Sequence, residues 1–200
     1  MKIVAGDLKG RMLRTPPGRQ LRPTQAHVRQ VLFDIVGEGI VGERVLDLFA
    51  GVGAIGIEAL SRGAREVTFV ERDPTALRYL RANLQILGLE DRSRVLPVTV
   101  EASPKILAAT GSPFPWIFAD PPYRTDSNAW ISKVTQGGAG AILDRAGTLV
   151  VESSGRSLPA ERVGGLKRFR DHAVGETHLE FYGWDGRTDG EEEGDLSGNV

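Results

Sequence analysis

No cysteine occurs in the 200-residue chain, which excludes disulfides, thiolate metal sites and a cysteine nucleophile. Any chemistry must come from oxygen and nitrogen groups or from a bound cofactor. Long apolar runs are also missing: none approaches the roughly 20 residues of a membrane helix, and the N-terminus lacks the apolar segment of a secretory leader. The expectation is a cytoplasmic protein that does not touch membrane. Excess charge is nearly absent too, at −1 overall, but this total hides an asymmetry.

Within the first thirty residues Lys2, Lys9, Arg11, Arg14, Arg19, Arg22 and Arg29 are opposed only by Asp7, a pattern that suits either phosphate contact or a solvated face. The opposite end is acidic: Asp189, Glu191, Glu192, Glu193 and Asp195 lie among Gly and Ser, too polar to bury a core. Residues 185–200 are therefore expected to form a disordered tail. A hydrophobic fraction of 40% suffices for one core, so residues 1–184 are expected to form a single domain.

Along the chain, Lys2–Gly6 and Arg11–Thr15 read as two strands of a hairpin turning through Asp7-Leu8-Lys9-Gly10, within a basic extension over 1–22. From Thr24, the expected N-cap, Val28, Val31, Leu32, Ile35 and Val36 share a helical face that stops at Gly37. Strand-like runs then alternate with helical patterns, the signature of an α/β fold with a mostly parallel sheet covered on both faces. Expected strands are Arg44–Phe49, Glu66–Val70, Arg94–Val100, Trp116–Ala119 and Thr148–Glu152, with Arg168–His172 and His178–Trp184 as a closing antiparallel pair. Gly137–Gly140 reads as a loop. One helix is sharply marked, by Asp73 as N-cap, Pro74 in the first turn, Leu77, Leu80, Leu84 and Leu87 on one face, and Gly88 at the stop.

The first core strand runs into Asp47-Leu48-Phe49-Ala50-Gly51-Val52-Gly53-Ala54-Ile55-Gly56. Gly51, Gly53 and Gly56 satisfy G-x-G-x-x-G, and Glu71 follows Gly51 by twenty residues, so a nicotinamide dinucleotide fits this segment as well as another nucleoside cofactor. Glycine lets the backbone approach a ligand, and an acid at the next strand end, here Glu71 followed by Arg72, accepts ribose hydroxyls. Asp47 tilts the choice, since a carboxylate beside the turn suits a cation better than a pyrophosphate. S-adenosylmethionine, with its sulfonium and ammonium, is such a cation. The alternative for Asp47 is a brace for the turn. Glu101 and Ala102, leaving the third core strand, stand where an adenine ring would lie.

Asp120-Pro121-Pro122-Tyr123 closes the apolar run Trp116-Ile117-Phe118-Ala119. With Pro at about 5% of residues, such a tetrapeptide arises by chance in on the order of one chain in a thousand of this length. It supplies what methylation of an exocyclic amine needs. The Asp120 carboxylate and Pro121 carbonyl can accept the amine's N–H groups and stabilise developing positive charge; the prolines hold these acceptors rigid, and Tyr123 offers a stacking face. No metal is required. In an open α/β sheet, ligands bind beyond the carboxyl ends of the strands, so Asp47, Glu71, Glu101 and Asp120 should converge on one crevice.

Taken together, Gly6-Asp7-Leu8-Lys9-Gly10-Arg11, Leu21-Arg22-Pro23-Thr24, Asp47-Leu48-Phe49-Ala50-Gly51, Leu60-Ser61-Arg62-Gly63-Ala64 and Asp120-Pro121-Pro122-Tyr123 resemble the bacterial 16S ribosomal RNA guanine-N2 methyltransferases. These are class I S-adenosylmethionine-dependent enzymes. The resemblance spans nearly everything before the acidic tail. It implies a seven-stranded Rossmann-like sheet with antiparallel last strands, S-adenosylmethionine as donor, and a guanine of 16S RNA in the small subunit or its assembly intermediate as acceptor. It also implies RNA contacts from Lys9, Arg11, Arg14 and Arg22. The protein is expected to be a monomer. Two other readings of the residues are a DNA adenine or cytosine methyltransferase, for which little chain is left to form a target-recognition region, and a nicotinamide oxidoreductase, which leaves Asp120-Pro121-Pro122-Tyr123 without a purpose.

Overall fold

The computed structural model describes residues 1–17, 23–109, 113–122, 125–135, 142–155 and 158–186, with the side chains of 23–25 left aside. Arg22, Tyr123, the Gly137–Gly140 loop and the tail beyond Gly186 lie outside the described residues.

One eight-stranded sheet organises the described residues, in the order β3-β2-β1-β4-β5-β8-β7-β6. β1 (Arg44–Leu48), β2 (Glu66–Val70), β3 (Ser93–Leu96), β4 (Phe114–Ala119) and β5 (Leu143–Ser154) are parallel neighbours. β8 (Thr177–Trp184) returns antiparallel against β5 and β7 (Leu166–Val174), and β6 (Arg162–Val163) pairs at the edge. The strand beyond the expected seven is this two-residue β6, too short to leave a periodic signal.

Helices cover both faces, as parallel strands buried on each side require. On one face α1 (Pro23–Val36), α2 (Ala54–Ser61) and α3 (Pro74–Leu87) contribute Val28, Leu32, Phe33, Ile57, Leu60, Leu80 and Leu84 to a core with Val45, Phe69, Phe118 and Val150. On the other, α4 (Ser103–Ala108) and α5 (Ser127–Thr135) pack Leu107, Trp130, Ile131 and Val134 against Leu46, Leu48, Ile117 and Val151. Each strand thus sends alternate residues to opposite cores.

α3 forms as its caps dictate. The Asp73 carboxylate accepts the Ala76 amide at 2.7 Å, Pro74 occupies the first turn, and Gly88 closes the helix at φ 66°, a device whose N-cap alone contributes about 1 kcal/mol. α1 begins at Pro23, one residue before the expected Thr24 cap. β3 ends at Leu96 rather than Val100; Pro97 has no amide for the ladder, and the chain turns there with Val98 N–H donating to Leu96 O.

The front hairpin is reduced to a single bridge, Lys2 with Met12. Around that bridge Ile3 donates to Arg11 O and Leu13 to Met1 O, but beyond it the bonds go to α2: Val4 and Ala5 donate to the two Glu58 carboxylate oxygens at 2.9 Å each, Asp7 donates to Ser61 O, and Leu8 to Ser61 Oγ. Gly6 lies so close to α2 that a Cβ would sit 1.8 Å from Ser61 O. Amides engaged by a helix are not available to extend a strand pair. Glu58 is fully buried and also receives Arg29 Nε at 3.3 Å, so Arg29, 4% exposed, belongs to the fold and not to a phosphate-facing stripe.

Candidate active site

The sheet order reverses between β1 and β4, where crossovers leave in opposite directions and a crevice opens beyond the carboxyl ends. The register aligns that edge. Leu48 pairs with Val70 on one side and Ala119 on the other, and Ala119 pairs with Val151. Phe49, Glu71, Asp120 and Glu152 therefore follow from neighbouring strands at one level.

β1 ends one residue earlier than expected, because Phe49 adopts a left-handed φ of 59°. Among the described residues it is the non-glycine with positive φ, a strained position of the kind found at ligand sites; its ring meets Trp130 edge-on at 5.5 Å. Ala50 donates to Val70 O at 3.0 Å, tying the turn to β2. Gly51 and Gly53 then take φ 57° and 87°. A Cβ on Gly53 would lie 2.5 Å from Leu80, and one on Gly56 would lie 2.3 Å from the Phe69 ring. Gly56 serves close helix-to-strand packing, whereas a Cβ at Gly51 would meet only the Phe49 carbonyl, at 4.0 Å.

Glu71 closes this turn from β2. One carboxylate oxygen accepts the Gly51 amide at 2.7 Å; the other accepts those of Arg72 at 2.7 Å and Asp73 at 2.8 Å. Carboxylate oxygens have further lone-pair sites, so the acid can hold its loop and still accept a ribose hydroxyl. Arg72 itself is exposed. Asp47 is 1% exposed and its Oδ2 accepts the Gly56 amide at 2.9 Å, which makes it a brace for the turn. Burial pushes its pKa up to about 8, against the Gly56 hydrogen bond, with the charges of Asp120 and Glu71 adding to the rise.

Asp120 is exposed beyond β4 and lines a pocket with Pro121, Pro122, Thr125, Glu152 and Ser153. The structure thus brings Asp47, Glu71 and Asp120 into one electrostatic neighbourhood. It does not place Glu101 and Ala102 at a strand exit: both are exposed in the turn before α4, since β3 stops short at Pro97. Lys9, Arg11 and Arg14 are exposed on the front segment.

Two contributors escaped the pattern reading. Glu152 sits at the end of an apolar run, as Asp47 and Asp120 do, and that shared placement was the available signal. Asn83, buried in α3, accepts the Arg14 amide at 2.8 Å and donates to Arg14 O at 3.1 Å and to Val52 O at 3.0 Å. It couples the basic front segment to the glycine turn, a role only the fold reveals.

The model of the family described as "Conserved hypothetical protein 95" matches residues 1–183. The chain belongs to this family. Among its relatives, the Bacillus subtilis (strain 168) protein YlbH, provisionally named an rRNA methyltransferase, is 34% identical over 183 residues, 91% of this chain and 98% of its own. Ribosomal RNA small subunit methyltransferase D of Escherichia coli (strain K12) is 39% identical over 124 residues, 62% of this chain and 61% of its own. Among solved structures, the Escherichia coli protein yhhF, titled a methyltransferase provisionally, superposes with a TM-score of 0.75 at 30% identity, covering 92% of this chain and 98% of that one. The chain is thus a class I methyltransferase in fold and family, the class whose methyl donor is S-adenosylmethionine.

Proposed function

We propose that the protein transfers a methyl group from S-adenosylmethionine to the exocyclic N2 of a guanine in 16S ribosomal RNA of the small subunit, acting as a cytoplasmic monomer. The register of Ala119 with Leu48 carries this reading, because it sets Asp120-Pro121 directly beside the glycine turn.

The residues fit the donor. A Cβ at Gly51 would meet only the Phe49 carbonyl, at 4.0 Å, Glu71 has acceptor capacity for ribose hydroxyls, and the charges of Asp120 and Glu71 bear on one neighbourhood where a cationic ligand would offset them. Phe49, Ala50 and Gly53 shape the same turn, while Glu101 and Ala102 are candidates for the adenine end from their exposed loop. When bound, the donor supplies an electrophilic methyl group on a sulfonium.

The chain's own residues then act on the acceptor. An amine conjugated to a purine ring is a weak nucleophile, since its lone pair is delocalised. Asp120 and the Pro121 carbonyl accept its N–H bonds, orient the nitrogen and stabilise the charge that develops as it reacts. Pro121 and Pro122 lose little entropy in doing so, and the target base is splayed from its stack to reach them. Lys9, Arg11 and Arg14 face solvent on a segment anchored to α2 and supply phosphate contacts.

The names of the relatives support ribosomal RNA as the acceptor. Labelled S-adenosylmethionine incubated separately with 16S RNA, small subunits and duplex DNA, followed by nucleoside analysis, is expected to yield N2-methylguanosine from the ribosomal substrates. Label only in DNA, or on a ring carbon, overturns the reading.

A further inference from the structure

The apolar run Leu149-Val150-Val151 of β5 ends in Glu152. Because Ala119 pairs with Val151, Glu152 follows level with Asp120, and both carboxyls line the pocket that contains Pro121 and Pro122. Two carboxyls sharing one partly dry pocket do not both ionise readily. Asp120 is the exposed one and Glu152 the more enclosed. Burial first, and the Asp120 charge second, raise the Glu152 pKa, while the Arg29 charge opposes them. Glu152 is therefore the member that keeps its proton.

A protonated carboxyl presents a donor and an acceptor side by side, a use of a neutral acid known in other active sites. Guanine carries the complement next to the reacting amine. Its N2 adjoins N1–H, a donor, which adjoins O6, an acceptor. Adenine offers only a bare N1 acceptor beside its amine, and cytosine only N3.

We propose that Glu152 selects guanine: one of its oxygens accepts the ring N1–H and the other donates its proton to O6, while Asp120 and the Pro121 carbonyl hold the adjoining N2 amine. The proposal rests on the guanine-N2 reading above and deepens it, making Glu152 the base-reading residue and Asp120 the amine-holding one. A base that cannot complete the pair leaves a buried donor or acceptor unmatched, the arrangement by which polar sites reject analogues.

The test uses small subunits reconstituted with 16S RNA in which the guanine labelled by the wild-type protein is replaced by 2-aminopurine. This base keeps the 2-amine but has neither N1–H nor O6. Methyl transfer to guanine and 2-aminopurine is measured for wild type, Glu152→Gln and Glu152→Ala. Wild type should prefer guanine by about tenfold or more in kcat/KM, the equivalent of one well-made hydrogen bond or better. Glu152→Gln offers the same donor and acceptor pair without a titrating group and should retain that preference, with most of the guanine activity rescued. Glu152→Ala should lose the preference, mainly through a raised KM on guanine.

A Gln variant as inactive as the Ala variant overturns the proposal, since Glu152 would then act by charge or as a base. So does an Ala variant that keeps the guanine preference. Cofactor affinity and urea midpoint are measured on each variant. If the Ala variant does not fold, the nearly isosteric Gln variant still decides. Failure of the underlying function is distinct, because it appears with wild type alone: no N2-methylguanosine overturns both readings, whereas N2-methylguanosine with an inactive Gln variant overturns only the role of Glu152.

Discussion

The carboxylate of Asp47 accepts the backbone amide of Gly56 at 2.9 Å from a position almost wholly out of solvent. It ties the end of β1 to the first turn of α2 across the glycine turn. Burial raises its pKa to about 8, so the folded protein holds a proton that the unfolded chain releases near pH 4. The stability contribution of such a group is present at low pH and is lost as pH rises through about 8. Wild-type urea midpoints should fall between about pH 5 and 8. Asp47→Asn should flatten much of that fall, on the order of a few kcal/mol, with a remainder from Glu152, whose pKa is raised likewise. Equal slopes in the two proteins would remove Asp47 from the effect.

Glu71→Ala removes the clamp on the Gly51 amide together with a ribose acceptor. S-adenosylmethionine affinity should fall by about tenfold or more, measured by calorimetry, and Glu71→Gln should lose less because its amide keeps one acceptor oxygen. Tight NAD binding by wild type, with none of S-adenosylmethionine, would favour the oxidoreductase alternative instead.

Asp120→Ala should leave cofactor affinity within about threefold of wild type and lower kcat by roughly a hundredfold, the scale of a lost transition-state contact. Single-turnover kinetics on small subunits measures this directly. Unchanged turnover would take the amine-holding role away from Asp120.

Arg29 and Arg11 separate the structural cation from the exposed one. Arg29→Ala removes one of the two cations on the buried Glu58 carboxylate, which keeps Arg62 and the Val4 and Ala5 amides, and should cost about 1–3 kcal/mol in urea unfolding. Arg11→Glu combined with Arg14→Glu should change stability by less than about 1 kcal/mol while weakening RNA binding. The slope of log affinity against log salt should become shallower by about 1–2, and an unaltered slope would clear this segment of phosphate contacts.

Gly6→Ala forces a methyl group into the Ser61 carbonyl at a backbone φ of 77° that disfavours side chains. The front segment should lift from α2. RNA affinity should drop by about tenfold or more, with a stability loss of roughly 1–3 kcal/mol, and the affinity for S-adenosylmethionine should stay within about threefold. Proteolytic release of the first residues provides an independent measure of the detachment.

Local chemistry made much of this protein legible in its sequence. α3 was readable from end to end, because Asp73, Pro74 and Gly88 act on their own backbone and need no partner from elsewhere. β2 followed from its apolar run, and the glycine turn from residues that must accept positive φ. Asp120-Pro121-Pro122 announced an amine chemistry because its acceptors are built into one short stretch. What depended on distant partners was not readable. Arg29 looked like one more surface cation, since its partner Glu58 lies twenty-nine residues away on another helix. Asp47 could have faced a ligand or braced a turn, and only the packing of α2 on β1 decided for the brace. The Lys2–Met12 pair stopped at a single bridge because α2 took the neighbouring amides. Glu152 became part of the site through the register of β5 on β4. A sequence determines alone what its residues do to their own neighbours; which side chains share a pocket, and so which protons they keep, is settled by sheet register and burial, properties that exist only once the chain has closed on itself.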